Sequence, residues 1–137
     1  SMTVAREQED LRSVLDWLEK HPEVDPHRIV LLGFSLGGLV ATLVASRWGR
    51  ARALCLWSPL ADLGGWIRTK VDAATIERLP DDGYVELWGN LVGKPFLTEA
   101  AGFSSIHDIP LPQLPTLVVH GTGDPVVPMK DGESYAR

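Results

Sequence analysis

The strongest hydrophobic pattern in the chain runs over residues 28–45, which read RIVLLGFSLGGLVATLVA. Its first apolar residues are β-branched and aliphatic, and they predict a strand over 29–33 that is buried on both faces of a sheet. The residues that follow are apolar almost throughout and predict a buried helix over 36–45. A buried strand passing directly into a buried helix is therefore the main structural signal of the sequence.

Two more apolar runs predict strands over 51–57 and 115–121. The segment between the first two strands is helical, and strands connected by a helix are normally parallel. An N-terminal helix is predicted over 3–21, with Thr3 as its N-cap and Gly49 ending the helix after the first strand. Its buried stripe is formed by apolar residues at helical spacing, with Trp17 at the edge: Val4, Leu11, Val14, Leu15 and Leu18. The sequence predicts an α/β fold with a short parallel sheet.

Residues 61–108 have no clean period and form an insert between the second and third strands. A helix over 67–79 is predicted inside it. A connection of this length in a compact domain is typical of a lid or a binding loop. Trp66, Trp88 and Phe96 are its large aromatic residues, and they either pack the insert onto the core or line an acyl or aryl pocket.

The residues between the predicted strand and helix, 33–37, read G-F-S-L-G. G-x-S-x-G in a strand–turn–helix context is the signature of a nucleophile elbow, in which a serine is exposed on a sharp, strained turn. Gly33 and Gly37 are expected to be glycine because a β-carbon at either position would crowd this turn. The helix N-terminus beneath Ser35 favours the negative charge of an oxyanion. An ordinary glycine-rich turn is the alternative, and the spacing does not fit a phosphate-binding loop.

The composition indicates which classes of binding partner and which cellular compartment to expect. The chain has 137 residues and a net charge of −5 without a Lys/Arg cluster, which argues against nucleic acid or an anionic membrane as a partner. Its single cysteine, Cys55, is predicted to be a buried structural thiol, consistent with the cytoplasm. No membrane-length apolar run or signal peptide is found, and Ser1-Met2 resembles an expression scar. No metal site and no cofactor are predicted.

Three segments together resemble the α/β-hydrolase family: DPHRIVLLGFSLGG at 25–38, the insert, and LPTLVVHGTGDPVVP at 114–128. The helix before DPHRI and the stretch WGNLVGKPF at 88–96 are similar to the carboxylesterase, cinnamoyl-esterase and serine-aminopeptidase-like branch. The resemblance implies that Ser35 is the nucleophile, that the Leu36 N–H is one oxyanion donor, and that Asp124 orients a catalytic histidine. Asp124 also follows a predicted strand at the sheet edge where Ser35 lies, although an aspartate before a proline is common in turns.

The sequence departs from the family in having no histidine after Asp124. His120 ends the third strand and is expected to be a hydrogen-bonded strand-end histidine rather than a base; His107 is expected to be solvated. His21 and His27 enter the first strand at the opposite end of the sheet. An early strand pair and a second oxyanion loop are also missing. Residues 1–137 are therefore predicted to be one incomplete hydrolase domain, either a truncated product or a fragment.

The sequence predicts a serine hydrolase of the esterase type, acting on a small ester, thioester or amide and inactive or weakly active as this chain. A serine without its base is a weak nucleophile, and loss of a triad member leaves residual catalysis only. The alternatives are a non-catalytic assembly module and an acyltransferase, which uses the same elbow. Unpaired outer strands predict a homodimer or larger assembly through the sheet edges.

Overall fold

The computed structural model describes residues 2–87, 89–103 and 105–136. These residues form a three-stranded sheet, a two-stranded hairpin and several helices. In chain order the elements are α1 (Val4–Leu18), β1 (Val30–Phe34), α2 (Leu36–Trp48), β2 (Ala53–Trp57), α3 (Leu63–Arg68), α4 (Ala73–Arg78), β3 (Tyr84–Leu87), β4 (Asn90–Gly93), α5 (Lys94–Ala101), a 3-10 turn (Ile106–Asp108), β5 (Thr116–Val119) and α6 (Met129–Glu133).

The three strands of the central sheet are parallel and lie in the order β1-β2-β5. α2 connects β1 to β2, and the insert connects β2 to β5. The predicted α/β class, the three strands and their order are confirmed. β3 and β4 pair with each other as an antiparallel hairpin inside the insert, which the sequence pattern did not indicate.

α2 is the central helix of the core, because every residue from Gly38 to Ala45 is buried. It packs on β1 and β2. Gly49 ends it in the left-handed conformation, with φ of 69°, and its N–H donates to the Ala45 carbonyl. The predicted buried helix and its glycine C-cap are confirmed.

The central sheet is covered on one face only by the described residues. Leu31, Leu54 and Leu56 are buried on the α2 side. The residues that alternate with them form the open sheet face, and Leu32 and Phe34 there are 60% and 65% exposed. The register of the strands places its members side by side: Val30, Leu32, Phe34, Ala53, Cys55, Trp57, Leu117 and Val119. The prediction that the strands are buried on both faces is therefore wrong.

Cys55 lies on the open sheet face and is partly exposed. The prediction of a buried structural thiol is wrong, since an apolar run does not tell which of its alternate residues face the helix. Its side chain instead lies between Leu32 on β1 and Leu117 on β5.

α1 begins as predicted, with the Thr3 side chain accepting a hydrogen bond from the Arg6 N–H. Val4 and Leu15 are buried, and the helix contacts α2. Val14 and Trp17 are 53% and 60% exposed, so the predicted buried stripe is too wide. Only part of the apolar face of α1 is therefore buried against the rest of the fold.

The insert is folded onto the core, with Leu63, Ile67 and Leu97 fully buried. The single helix predicted over 67–79 is wrong. Two short helices, α3 and α4, replace it, and Asp72 caps the second by accepting from the Thr75 N–H. Phe96 is buried in the core, whereas Trp88 lies outside the described residues.

α6 is fastened to the segment after β2 by two side chains. The buried carboxylate of Asp131 accepts hydrogen bonds from the N–H groups of Ala61 and Asp62, at 2.9 and 3.3 Å. The Tyr135 hydroxyl donates to the Leu60 carbonyl, and burial, with the Asp131 charge, raises the pKa of Tyr135. Tyr135 therefore remains a neutral donor across the ordinary pH range.

None of the helices in the described part of the chain combines the length and apolarity that a bilayer-crossing segment requires.

Candidate active site

Ser35 stands at the turn between β1 and α2 with φ of 53° and ψ of −121°. A non-glycine residue in this region is strained by roughly 1–3 kcal/mol. Its N–H donates to the Trp57 carbonyl on β2 at 2.9 Å, and its carbonyl accepts from the N–H groups of Gly38 and Leu60. The backbone on both sides is held by hydrogen bonds, and this anchoring keeps the serine in the strained conformation.

The two elbow glycines have different roles. A β-carbon on Gly33 would lie 2.4 Å from the Gly37 carbonyl oxygen and 2.6 Å from the Gly38 Cα. These atoms are backbone and cannot move away, so the prediction for Gly33 agrees with the structure. A β-carbon on Gly37 would meet nothing within 4 Å, and the prediction that Gly37 avoids crowding is wrong. Gly38 is the second tight position, since a β-carbon there would lie 2.8 Å from Pro59 Cβ.

Leu36 is the first residue of α2. The N–H of a first helical residue has no acceptor inside its own helix. α2 is 13 residues long and its first residues follow Ser35 directly, so its peptide dipoles favour negative charge beside the serine. The geometry is compatible with the oxyanion-donor role expected for the Leu36 N–H.

Asp124 lies in the loop after β5, and hydrogen bonds within that loop hold its side chain. Its Oδ1 accepts from the N–H groups of Val126 and Val127, at 2.9 and 3.0 Å. These two bonds, with smaller contributions from the Ser58 hydroxyl and the His120 ring, hold the pKa of Asp124 below its ordinary value. The carboxylate is therefore charged at neutral pH.

The strand register brings these residues to one edge of the sheet. Phe34, Trp57 and Val119 are partners in the last shared row of β1, β2 and β5. Ser35 follows the first of them, and Asp124 lies beyond the third. Parallel strands are spaced about 4.8 Å apart, so two spacings separate the strands of Ser35 and Asp124 by about 10 Å.

The contacts found for the histidines are with residues other than Ser35. The His120 side chain is 5% exposed; Nε2 lies 3.0 Å from the Val127 carbonyl oxygen and 3.7 Å from Asp124 Oδ2, and Nδ1 is packed against Gly132. The expectation of a hydrogen-bonded strand-end residue agrees with this. His107 is exposed, with Nε2 3.2 Å from the Ser134 hydroxyl. His21 stacks on Trp17, with ring centroids 4.6 Å apart.

Two features of the site were missed from the sequence. Ser58, directly after β2, has φ of 41° and donates its N–H to the Val119 carbonyl on β5 at 2.8 Å. Trp66 on α3 donates its indole N–H to the Val126 carbonyl at 2.9 Å and so joins the insert to the Asp124 loop. Nothing local marks either residue, because each contacts a segment that is distant in the sequence. The described residues contain no cluster of three or more His, Cys, Asp or Glu side chains suited to a metal ion.

Comparison with known proteins identifies the fold. A family model described as the alpha/beta hydrolase fold matches residues 4–137. Est1E from Butyrivibrio proteoclasticus superposes with a TM-score of 0.81 at 25% identity, over 98% of this chain and 56% of Est1E. Alpha/beta hydrolase domain-containing protein 10 from mouse superposes with a TM-score of 0.73 at 25% identity, over 99% of this chain and 55% of the mouse protein.

Among curated sequences, the uncharacterized protein YfhR of Salmonella typhi is 30% identical over 125 residues, 90% of this chain and 39% of YfhR. The chain thus spans about half or less of the length of each of these proteins, which fits the predicted incomplete fold. With a family model matching almost every residue, the chain belongs to the alpha/beta hydrolase fold family.

Proposed function

We propose that this chain carries the nucleophile and the acid of a serine hydrolase of the esterase type. The observation that carries the proposal is the strained backbone of Ser35 at the strand–helix turn, at the same sheet edge as Asp124. Strain of this kind persists where surrounding structure imposes it, and it is concentrated at active sites. Membership of the hydrolase family and the likeness to Est1E add independent support.

In the proposed reaction the Ser35 hydroxyl attacks the carbonyl carbon of an ester as a base removes its proton. The Leu36 N–H stabilises the oxyanion that forms. The alcohol departs with a proton, and water then releases the acid from the acyl-serine. Asp124 holds the imidazole base in the correct tautomer. The hydrogen-bonding partners found for His120 and His107 are Val127 and Ser134 rather than Ser35, so we propose weak or no activity for these 137 residues alone.

The relatives support a proposal for the substrate class. A structure of Est1E holds ferulic acid, an aromatic carboxylic acid. We propose that the acyl group is that of a small ester, thioester or amide. An acyltransferase differs from a hydrolase only in whether water or another nucleophile accepts the acyl group, and it remains the alternative reaction at the same serine.

We propose that residues 61–108 act as a lid-like insert within one incomplete domain, 1–137. The hydrogen bond from Trp66 to Val126 supports this role, because it connects α3 directly to the loop that holds Asp124. A displacement of α3 therefore displaces the acid loop with it.

Ser35 is expected to react with a fluorophosphonate probe when a base is provided. Wild-type chain incubated with the probe alone should label slowly or not at all, and added imidazole should increase labelling at least several-fold, since it can accept the serine proton. Peptide mass spectrometry should place the adduct on Ser35, and Ser35→Ala should remain unlabelled. Equal labelling of wild type and Ser35→Ala, or none with imidazole, would contradict the proposal.

A second candidate function is assembly with a second copy of this chain. The open sheet face presents contiguous apolar side chains to solvent, and surfaces of this kind mark protein–protein contacts. β1 and β5 are the outer strands of the sheet, and no described residue pairs with their outer edges. We propose that two copies associate through these edges and the adjoining apolar face.

Self-association is expected to be lost when a charge is placed on the open sheet face. Wild-type chain should elute from a sizing column as a dimer or larger species, and Leu117→Lys as a monomer, because a buried lysine without a partner is costly. Leu117 is 59% exposed, so the change should leave the fold intact. Gln113→Lys, which adds the same charge at an exposed position before β5, is the control. A monomeric wild type is the result that refutes assembly.

A further inference from the structure

The hydrogen-bond donors that hold the Asp124 carboxylate are backbone groups of an irregular loop. Val126 and Val127 donate their N–H groups to Asp124 Oδ1, at 2.9 and 3.0 Å. Residues 120–128, all of which the structure describes, are in neither helix nor strand, so regular backbone hydrogen bonds do not set the directions of these N–H groups. A hydrogen bond weakens steeply when its donor turns away from the acceptor. The carboxylate is therefore held only as firmly as its two donor peptide groups.

One of these donor peptide groups is held from its other side by the insert. A trans peptide group is planar, and its C=O and N–H point in opposite directions and turn together. The Val127 N–H shares its plane with the Val126 C=O, and this carbonyl accepts the indole N–H of Trp66 at 2.9 Å. Holding the carbonyl fixes the plane, and the fixed plane aims the Val127 N–H at Asp124. A donor on the carbonyl also polarises the peptide group, which strengthens its N–H as a donor.

The neighbouring hydrogen bond of the loop does not have this geometry. His120 Nε2 lies 3.0 Å from the Val127 carbonyl oxygen, but the peptide group of that carbonyl ends in Pro128, which has no N–H. The His120 contact therefore holds the loop without aiming a donor at the carboxylate. The Val126 N–H belongs to the preceding peptide group, so the bond from Trp66 to the Val126 carbonyl fixes the Val127 donor specifically.

α3 holds the indole in place from the insert side. The Asp62 side chain caps this helix by accepting from the Gly65 N–H at 2.7 Å, and Leu63 and Ile67 of the same helix are fully buried. The position of the indole N–H of Trp66 is thus set by the packing of the insert on the core. One hydrogen bond and one peptide plane connect it to the donor of the acid.

We propose that Trp66 is a positioning residue for the acid: its indole N–H fixes the peptide plane between residues 126 and 127 and so aims the Val127 N–H at the Asp124 carboxylate. The inference rests on the proposed role of Asp124 as the acid of the hydrolase. It gives the insert a regulatory effect on that site, since any ligand that moves α3 changes how the carboxylate is held without contacting Ser35.

The test is the response of backbone amide resonances to the charge on Asp124, in wild type and Trp66→Phe. An N–H that donates to a carboxylate loses a charge-assisted bond when the carboxylate is protonated, and its proton resonance shifts accordingly. Trp66→Phe keeps an aromatic ring but has no N–H. The shift of the Val127 amide on titration of Asp124 should therefore fall by about half or more, while the Val126 amide keeps its response. A general loosening of the loop would reduce both responses.

Two controls separate this effect from damage to the insert. The Thr75 N–H donates to Asp72 Oδ1 at 2.8 Å in the same insert, and its response to pH should be equal in both proteins. Trp17→Phe, at a 60% exposed tryptophan on α1, should leave all these responses unchanged. If acid unfolds the chain, Asp124→Asn at neutral pH removes the charge instead. If Trp66→Phe fails to fold, benzothienylalanine at position 66, with sulfur in place of the N–H in a ring of nearly the same shape, gives the same comparison.

The possible results distinguish this proposal from the proposed function. An unchanged Val127 response, or equal losses at Val126 and Val127, would overturn the role of Trp66. Labelling of Ser35 that fails even with imidazole, beside a selective loss at Val127, would reject the hydrolase and retain the effect of Trp66 on the loop. Labelling that succeeds beside an unchanged Val127 response would reject the positioning role alone.

Discussion

Gly33→Ala is expected to destabilise the fold by about 3 kcal/mol, since the added methyl would overlap backbone atoms of Gly37 and Gly38 that no side-chain rearrangement can relieve. The clash falls at the crossing of β1 and α2, so relief requires separating the strand from the central helix of the core. The same displacement moves the Ser35 turn. Urea unfolding should show a lower midpoint, and imidazole-assisted labelling of Ser35 should fall together with it.

Gly37→Ala is the matched control, two residues past the serine. Its added methyl meets nothing within 4 Å, and alanine is favoured over glycine in a helix by about 1 kcal/mol. The free energy of unfolding should stay constant or increase. Equal destabilisation by the two substitutions would show that the elbow requires glycine for a reason other than the close backbone approach at Gly33.

Asp131→Ala is expected to cost about 3 kcal/mol. The carboxylate is 4% exposed and accepts from the N–H groups of Ala61 and Asp62. Removing it leaves two donors without an acceptor, and a buried donor without a partner costs about 1–3 kcal/mol. Since these donors lie in the segment that begins with Ser58, the end of β2 should loosen as well, which amide hydrogen exchange at Ala61 and Asp62 would detect.

Two further substitutions test whether loss of the buried hydrogen bonds causes the destabilisation expected for Asp131→Ala. Asp131→Asn keeps one carbonyl oxygen as an acceptor and should cost less than Asp131→Ala. Glu133→Ala removes an exposed carboxylate from the same helix and should change the free energy of unfolding by less than about 0.5 kcal/mol. If Glu133→Ala destabilised the fold as much as Asp131→Ala, helix propensity rather than the buried contact would be the reason.

The parts of the fold that were predictable carry their signal within a few residues. The elbow is marked by G-x-S-x-G between a strand and a helix, Thr3 by its position before an amphipathic run, and Gly49 by its place after a buried helix. The pairing of β1 with β2 follows from the single-helix connection between them. Each of these features depends on local conformation, which local sequence controls.

The parts that were missed depend on tertiary packing. An apolar run such as that of β1 shows that the residues tolerate burial, but not whether a second layer covers them, as the exposure of Leu32 and Phe34 shows. The predicted helix over 67–79 is interrupted because Asp72 starts a new helix by capping Thr75. α5 had a usable signal, Pro95 in its first turn, where proline is favoured.

The candidate site also contains residues that could be predicted from the sequence and residues that could not. Ser35 and Asp124 could be predicted because each follows a recognisable strand. The conformation of Ser58 could not, since its N–H bonds to Val119 on β5, which lies far along the chain. Gly37 was misjudged because the motif does not reveal which glycine faces the backbone across the turn.

One face of the sheet is buried and the other is exposed, so substitutions at alternate residues of a strand have different effects. Changes at Leu31, Leu54 or Leu56 alter the interior and act on whether the chain folds. Changes at their neighbours Leu32 or Cys55 leave that interior intact and alter the open sheet face, through which self-association is proposed. Alternate residues of the same strand therefore affect folding and the exposed surface separately, so a substitution can change one property and leave the other unchanged.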